Sequence, residues 1–248
     1  MVVLIHGYAE HCGRYAHLAT HLNHHGFAVF TYDQRGHGRS SGRRAFVRSF
    51  NRYLDDFGVM LKLARGDFSN VPVFLFGHSM GGAVAALYVL EREATFRGLV
   101  LSSPALKVSS DIAPFLQKIS SLVGRLLPRL PTIPLDRSLI SRDPAVVRQA
   151  LQDPLNFHGR MPARTGAELL RATRRIERNM DNLTLPFLII HGTGDRLTDP
   201  GGSTTLYQRA RSEDKTLGLH PGLYHETFNE PEKAQVLEEI VAWLEEHL

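Results

Sequence analysis

With 248 residues, 43% hydrophobic and 22% charged, the chain can hold one large domain, or one domain with an insertion, around a substantial core. Its single cysteine, Cys12, excludes an internal disulfide framework and a Cys-based zinc site, and no apolar run approaches the ~18 residues of a membrane span. The formal charge of +4 has a location: Lys107 to Asp181 carries 13 Lys and Arg against 7 Asp and Glu, and the rest of the chain 16 against 18. No helix-turn-helix, zinc-finger or RNP pattern accompanies that basic segment, so no nucleic-acid partner is expected.

The opening MVVLIHG contains a short β-branched strand, Val2 to Ile5, and lacks the cationic start and length of a signal peptide, so a cytoplasmic location is expected. Arg14 to His25 carries Tyr15, Leu18 and Leu22 at helical spacing and stops at Gly26. A second strand covers Phe27 to Tyr32, and Phe46, Phe50, Tyr53, Leu54, Phe57 and Leu61 mark an amphipathic helix. Strand 73–76, a helix from Gly81 to Leu90 and a strand from Gly98 to Leu101 follow. Beyond a long insertion come a strand at Pro186 to Ile190, a helix near Ser203 to Arg211, a strand near Thr216 to Leu219 and a last helix from Glu232 to His247. This alternation predicts an α/β fold: a mostly parallel sheet flanked by helices, with function in the loops after the strand C-termini. The insertion, 105–182, breaks the alternation with Pro114, Pro128, Pro131 and Pro134. Ile112, Phe115, Leu116, Ile119, Leu122, Val123, Leu126 and Leu127 form an apolar helical stripe in it, whose commoner fate is packing on a core.

One segment carries chemistry. VFLFGHSMGGAVAAL, residues 73–87, places Ser79 between glycines where a buried strand turns into a helix. This is the pattern of a nucleophile elbow, which presents the hydroxyl at the top of the sheet near the positive end of the helix. G-x-S-x-G also arises by chance as a plain strand-to-helix turn, so the reading depends on partners. Serine hydrolysis needs an imidazole base and a carboxylate to orient it, here in the chain order Ser, acid, His. Asp195, in LIIHGTGDRLTDP, is the better acid; its rival Asp199 precedes Pro200 and Gly201 and reads as a helix N-cap. His225, in LHPGLYHETFNEPE, is the better base, and His220 the more structural. Backbone N–H groups of Met80 and Tyr8 are the candidate oxyanion donors.

HGYAEHCGRY, YDQRGHGRSSGRR, GHSMGGA, HGTGDRLTDP and PGLYHETFNEPE together resemble the monoacylglycerol lipase branch of the serine α/β-hydrolases. The resemblance covers nearly the whole chain, with SRDP (141–144) and DPL (153–155) falling in the insertion as in those lipases. It implies an α/β-hydrolase core of residues 1–104 and 183–248, a cap of residues 105–182, and hydrolysis of monoacylglycerols to glycerol and fatty acid. Ser79, Asp195 and His225 would form the triad, and Glu10, Arg14 and His78 would line the alcohol side of the pocket. It also implies a β-hairpin ahead of the strand ending at His6-Gly7, whereas this sequence starts inside that strand, which leaves the protection of the sheet edge open.

No cofactor is expected: the glycines of GHGRSSG do not make G-x-G-x-x-G, and there is no Walker motif. No metal is expected either. His17, His21, His24 and His25 share one helix, but no nearby carboxylate or cysteine completes a site, so they read as a polar face. A carboxylesterase or lysophospholipase with the same triad is the alternative enzyme, and a non-catalytic ligand receptor the alternative class. Dehalogenases and epoxide hydrolases of this fold use an aspartate nucleophile, against which Ser79 argues. The apolar stripe, with Arg125 and Arg129 close by, predicts a helix near 111–127 that contacts a membrane or micelle surface.

Overall fold

The computed structural model describes residues 1–67, 70–92, 95–107 and 122–248. In chain order, β1 (Val2–Ile5) leads through a 3-10 turn to α1 (Ala16–His24), β2 (Val29–Thr31), α2 (Asn51–Asp67), β3 (Phe74–His78), α3 (Met80–Glu91) and β4 (Gly98–Ser102). The insertion contributes β5 (Pro131–Pro134), α4 (Pro144–Gln152), β6 (Arg160–Pro162) and α5 (Ala163–Asn179). The chain closes with β7 (Phe187–Gly192), α6 (Pro200–Arg209), β8 (Lys215–His220) and α7 (Lys233–Glu246). This is the α/β-hydrolase fold.

Among the described residues, six strands form a parallel sheet in the order β2-β1-β3-β4-β7-β8. The continuous apolar runs of the four inner strands, β1, β3, β4 and β7, are buried on both faces, as interior parallel strands require, whereas the edge strands β2 and β8 are partly exposed. Alternate residues divide between two cores. Val3, Ile5, Leu75, Leu99 and Phe187 pack with α2, α3 and α5, whereas Val2, Leu4, Phe74, Phe76 and Val100 pack with α1 and α7. The chain runs from β1 outward to β2 and then crosses back to β3. The strand order therefore reverses between β1 and β3, and a crevice opens there beyond the strand C-termini.

Two boundaries differ from the sequence pattern for physical reasons. The apolar spacing from Phe46 suggested helix, yet α2 starts at Asn51. The N–H groups of Val47 and Phe50 donate instead to Thr165 Oγ1 and Glu168 Oε2 of α5, at 3.1 and 3.0 Å. In the insertion, two of the prolines that read as interruptions, Pro131 and Pro134, sit in a two-stranded antiparallel ribbon, paired to Pro162 and Arg160. Pro128 precedes it in a turn and Pro114 lies outside the described residues. A two-stranded ribbon is all edge, where a missing N–H is tolerated. Of the apolar stripe, Ile112, Phe115, Leu116 and Ile119 lie outside the described residues. Leu122, Leu126 and Leu127 are exposed rather than packed on the core.

Candidate active site

The sharp turn from β3 into α3 carries Ser79 at φ +53° and ψ −119°, a conformation costly for any residue with a side chain. Its neighbours explain the glycines. A Cβ at Gly77 would lie 2.6 Å from the Gly81 carbonyl oxygen, and one at Gly81 would lie 2.2 Å from that of Ile5. The turn is fastened on both sides. Ser79 N–H donates to Ser102 O at 3.0 Å, and the Ser79 carbonyl accepts from Ala105 N at 3.0 Å.

The loop after β7 brings Asp195 beneath the loop after β8, which carries His225. His225 Nδ1 donates to Asp195 Oδ2 at 2.7 Å, and both side chains are buried. The carboxylate is fully engaged. Oδ1 accepts from Leu197 N and Thr198 N at 2.8 and 3.0 Å, and Oδ2 also accepts from Thr198 Oγ1 at 2.7 Å and from His191 Nε2 at 3.1 Å. Burial opposes the charge on Asp195, but His225 and His191 outweigh it and hold the carboxyl below the usual carboxylate range. Burial likewise opposes an imidazolium at His225, and the adjoining Asp195 carboxylate outweighs it, so the pKa of His225 is raised. Ser79 and His225 line one cavity of about 700 Å³. No hydrogen bond joins Ser79 Oγ to the imidazole among the described residues; such contacts commonly tighten only when substrate binds.

The β1 loop faces this turn. Tyr8 N–H has no acceptor among the described residues, and Met80, first residue of α3, has no preceding helical carbonyl to donate to. Glu10 braces the loop from below. Its Oε1 accepts from Gly7 N at 2.5 Å and Tyr15 OH at 2.7 Å, and its Oε2 from Arg14 Nη1 at 2.8 Å. Arg14 also grips Glu226 with both terminal nitrogens, at 2.5 and 2.8 Å. His78 Nδ1 contacts Ser102 O at 3.1 Å, and its ring centroid lies 4.7 Å from that of His225. Burial, then the nearby His225, keeps the His78 pKa well below the ordinary imidazole value. Glu10, Arg14 and His78 all line the cavity with Ser79.

The two rivals sit elsewhere. Asp199 caps α6, accepting from Gly201 N at 2.8 Å, and pairs with Lys107 at 3.0 Å. His220 faces Glu239 at 2.9 Å. Sequence pattern alone does not single out Thr198, His191 or Glu226. Glu226 adjoins His225 and was open to notice, whereas Thr198 and His191 reveal themselves only through their contacts with Asp195.

The sequence model of the family described as "Serine aminopeptidase, S33" (Hydrolase_4) matches residues 1–232. A monoacylglycerol lipase of Mycolicibacterium smegmatis is 39% identical over 248 residues, spanning 100% of this chain and 89% of that protein. A monoglyceride lipase of Rattus norvegicus is 38% identical over 247 residues, spanning 98% of this chain and 82% of its own. The crystal structure of the Paleococcus ferrophilus monoacylglycerol lipase superposes with a TM-score of 0.90 at 34% identity, covering 100% of this chain and 94% of that one. Matched along its length in sequence and in fold, the chain belongs to the monoacylglycerol lipase family of serine α/β-hydrolases.

Proposed function

We propose that this protein hydrolyses monoacylglycerols to glycerol and fatty acid through an acyl-enzyme on Ser79. The observation that carries the reading is the buried 2.7 Å contact between His225 and Asp195, in the cavity wall shared with a strained, half-buried Ser79. Asp195 fixes the proton on Nδ1 of His225, which leaves Nε2 as the base. His225 takes the Ser79 proton as Oγ attacks the ester carbonyl, and the N–H groups of Tyr8 and Met80 hold the oxyanion. The imidazolium then protonates the departing glycerol oxygen. Water, deprotonated by His225, releases the fatty acid. The reaction as read needs neither metal nor cofactor.

In this reading residues 105–182 cap a core of residues 1–104 and 183–248. Leu135, Met161, Leu169 and Leu170 of the insertion line the cavity and suit an acyl chain. Glu10, Arg14 and His78 lie on the alcohol side. No helix among the described residues is long and apolar enough to cross a membrane. The exposed Leu122, Leu126 and Leu127, beside Arg125 and Arg129, support peripheral contact with a lipid surface, from which a poorly soluble substrate is collected.

The test is fatty-acid release from a panel of mono-, di- and triacylglycerols, with fluorophosphonate labelling of the same protein. Monoacylglycerol is expected to be the preferred substrate, and Ser79→Ala to abolish both labelling and turnover. Near-normal turnover in Ser79→Ala would overturn the scheme.

A further inference from the structure

The four histidines of α1 and its C-terminal cap have no acidic neighbour in the sequence, but folding supplies one. α7 packs beside α1 and brings Glu238 to His21, with Oε1 3.3 Å from His21 Nε2. That nitrogen is shielded from solvent and has no hydrogen-bond partner among the described residues. His25 lies one turn further along, its ring centroid 5.0 Å from that of His21. One ligand atom from each of His21, His25 and Glu238 lies within 4.8 Å of the other two.

We propose that His21, His25 and Glu238 form a binding site for a divalent transition metal of the zinc type. Two ligand atoms, each about 2.0–2.1 Å from a tetrahedral zinc ion, are about 3.3 Å apart. The His21–Glu238 pair already has this separation. The two imidazoles are four residues apart on consecutive helical turns and point to one side. Side-chain adjustment at the exposed His25 would bring its ring from within 4.8 Å to ligand distance. His25 Nδ1 faces Glu245 Oε1 at 3.3 Å. A carboxylate so placed orients the ring and leaves Nε2 for the metal. Two imidazoles and one carboxylate suit zinc, copper or nickel rather than magnesium or calcium, which take oxygen ligands. The fourth position is left to water, so exchange with solvent should be easy.

The site joins α1 to α7 at the end of the sheet remote from Ser79. α1 descends from the β1 loop, and its last turn precedes β2, so His21 and His25 lie toward the N-terminal edge of the strands. Ser79, Asp195 and His225 all follow strand C-termini. Metal binding would tie two helices together without entering the reaction.

The full chain, free of any polyhistidine tag and stripped with EDTA, should be titrated with zinc chloride by calorimetry and followed by thermal unfolding. One zinc per chain is expected, with a rise in Tm at saturation and no change in ester hydrolysis. Glu238→Gln should weaken binding about tenfold or more, and His25→Asn should remove it together with the Tm rise. Circular dichroism in EDTA checks that each variant folds; both substitutions are at exposed side chains. The proposal is overturned by three results: no saturable binding at millimolar zinc, equal binding by the wild type and both variants, or a Glu238→Gln loss of Tm that is the same with and without zinc. The last would leave an ion pair only.

Discussion

Arg137, from the insertion, donates through Nη2 to the carbonyl oxygen of Ala9 at 2.8 Å, next to the Tyr8 amide proposed to hold the oxyanion. The same nitrogen donates to Phe157 O at 3.0 Å, and Phe157 N–H donates to Ala9 O at 3.0 Å. Ala9 needs this support, because its φ of +63° is unfavourable for a residue with a Cβ. On the opposite wall, Glu226 N–H donates to Ile140 O at 2.7 Å, one residue from His225. The insertion thus grips both loops of the site through their backbones.

Arg137→Ala should therefore lower kcat through a slack oxyanion loop. Removing one oxyanion donor outright costs about 100- to 1,000-fold, so loosening it should cost about tenfold or more. The loss should appear equally on a soluble short-chain ester, since it does not arise from lipid capture. An unchanged kcat on both substrates would show that the clamp is not needed for the reaction.

The two acids should separate cleanly. Asp195→Asn should cost several orders of magnitude in kcat, and combining it with Ser79→Ala or His225→Ala should add far less than the separate losses imply. Asp199→Ala should cost about 1 kcal/mol of stability as a lost helix cap, with a modest effect on kcat. Thr198→Val removes a hydroxyl donor to Asp195 and should lower kcat by an intermediate amount. Denaturant melts and steady-state kinetics on the three single variants decide the assignment.

The pH profile follows from the His225–Asp195 pair. The base must be neutral, and its pKa is raised by the carboxylate against the opposing effect of burial. The acid limb of kcat/KM should therefore fall at a pH above the ordinary imidazole value of about 6.5. In Asp195→Asn the residual activity should have its acid limb moved downward. The stability linkage has the same sign. A raised histidine pKa contributes stability that is complete below the unfolded pKa and is lost as pH rises through the folded value. The depressed Asp195 pKa contributes stability above the ordinary carboxylate value, lost as pH falls through the folded one. An acid limb below about 6.5 in the wild type would contradict the pairing.

Legibility in the sequence followed the range of the interactions. The strand runs, most helical spacings and the G-x-S-x-G turn are local and map to the elements they suggest. The spacing from Phe46 overshoots the start of α2 at Asn51, and part of the 112–127 stripe lies outside the described residues. Glu10 and Arg14 were visible as motif residues, but their engagement with Gly7, Tyr15 and Glu226 depends on loops far apart in the chain. The prolines of β5 gave no strand signal, because that ribbon exists only through pairing with β6. The histidines of α1 looked like a polar face until α7 placed Glu238 beside them.

The insertion should also dock on lipid. Leu122, Leu126 and Leu127 are 57%, 67% and 56% exposed, three large apolar side chains close together in the sequence. Arg125 and Arg129 lie between and beside them, and each basic side chain near an anionic surface contributes about 1 kcal/mol before salt screening. Binding to vesicles should therefore be stronger with anionic than with zwitterionic lipid and should weaken as salt is added. Because these leucines face solvent, Leu122→Asp and Leu126→Asp should leave the fold and short-chain ester turnover intact while lowering turnover of long-chain monoacylglycerol in vesicles. Leu116, like Ile112, Phe115 and Ile119 of the same stripe, lies outside the described residues, so the exposed pair is the sharper probe. Vesicle sedimentation and the two-substrate ratio should move together. Equal loss on both substrates, or binding indifferent to lipid charge, would leave the insertion as a roof over the acyl site and nothing more.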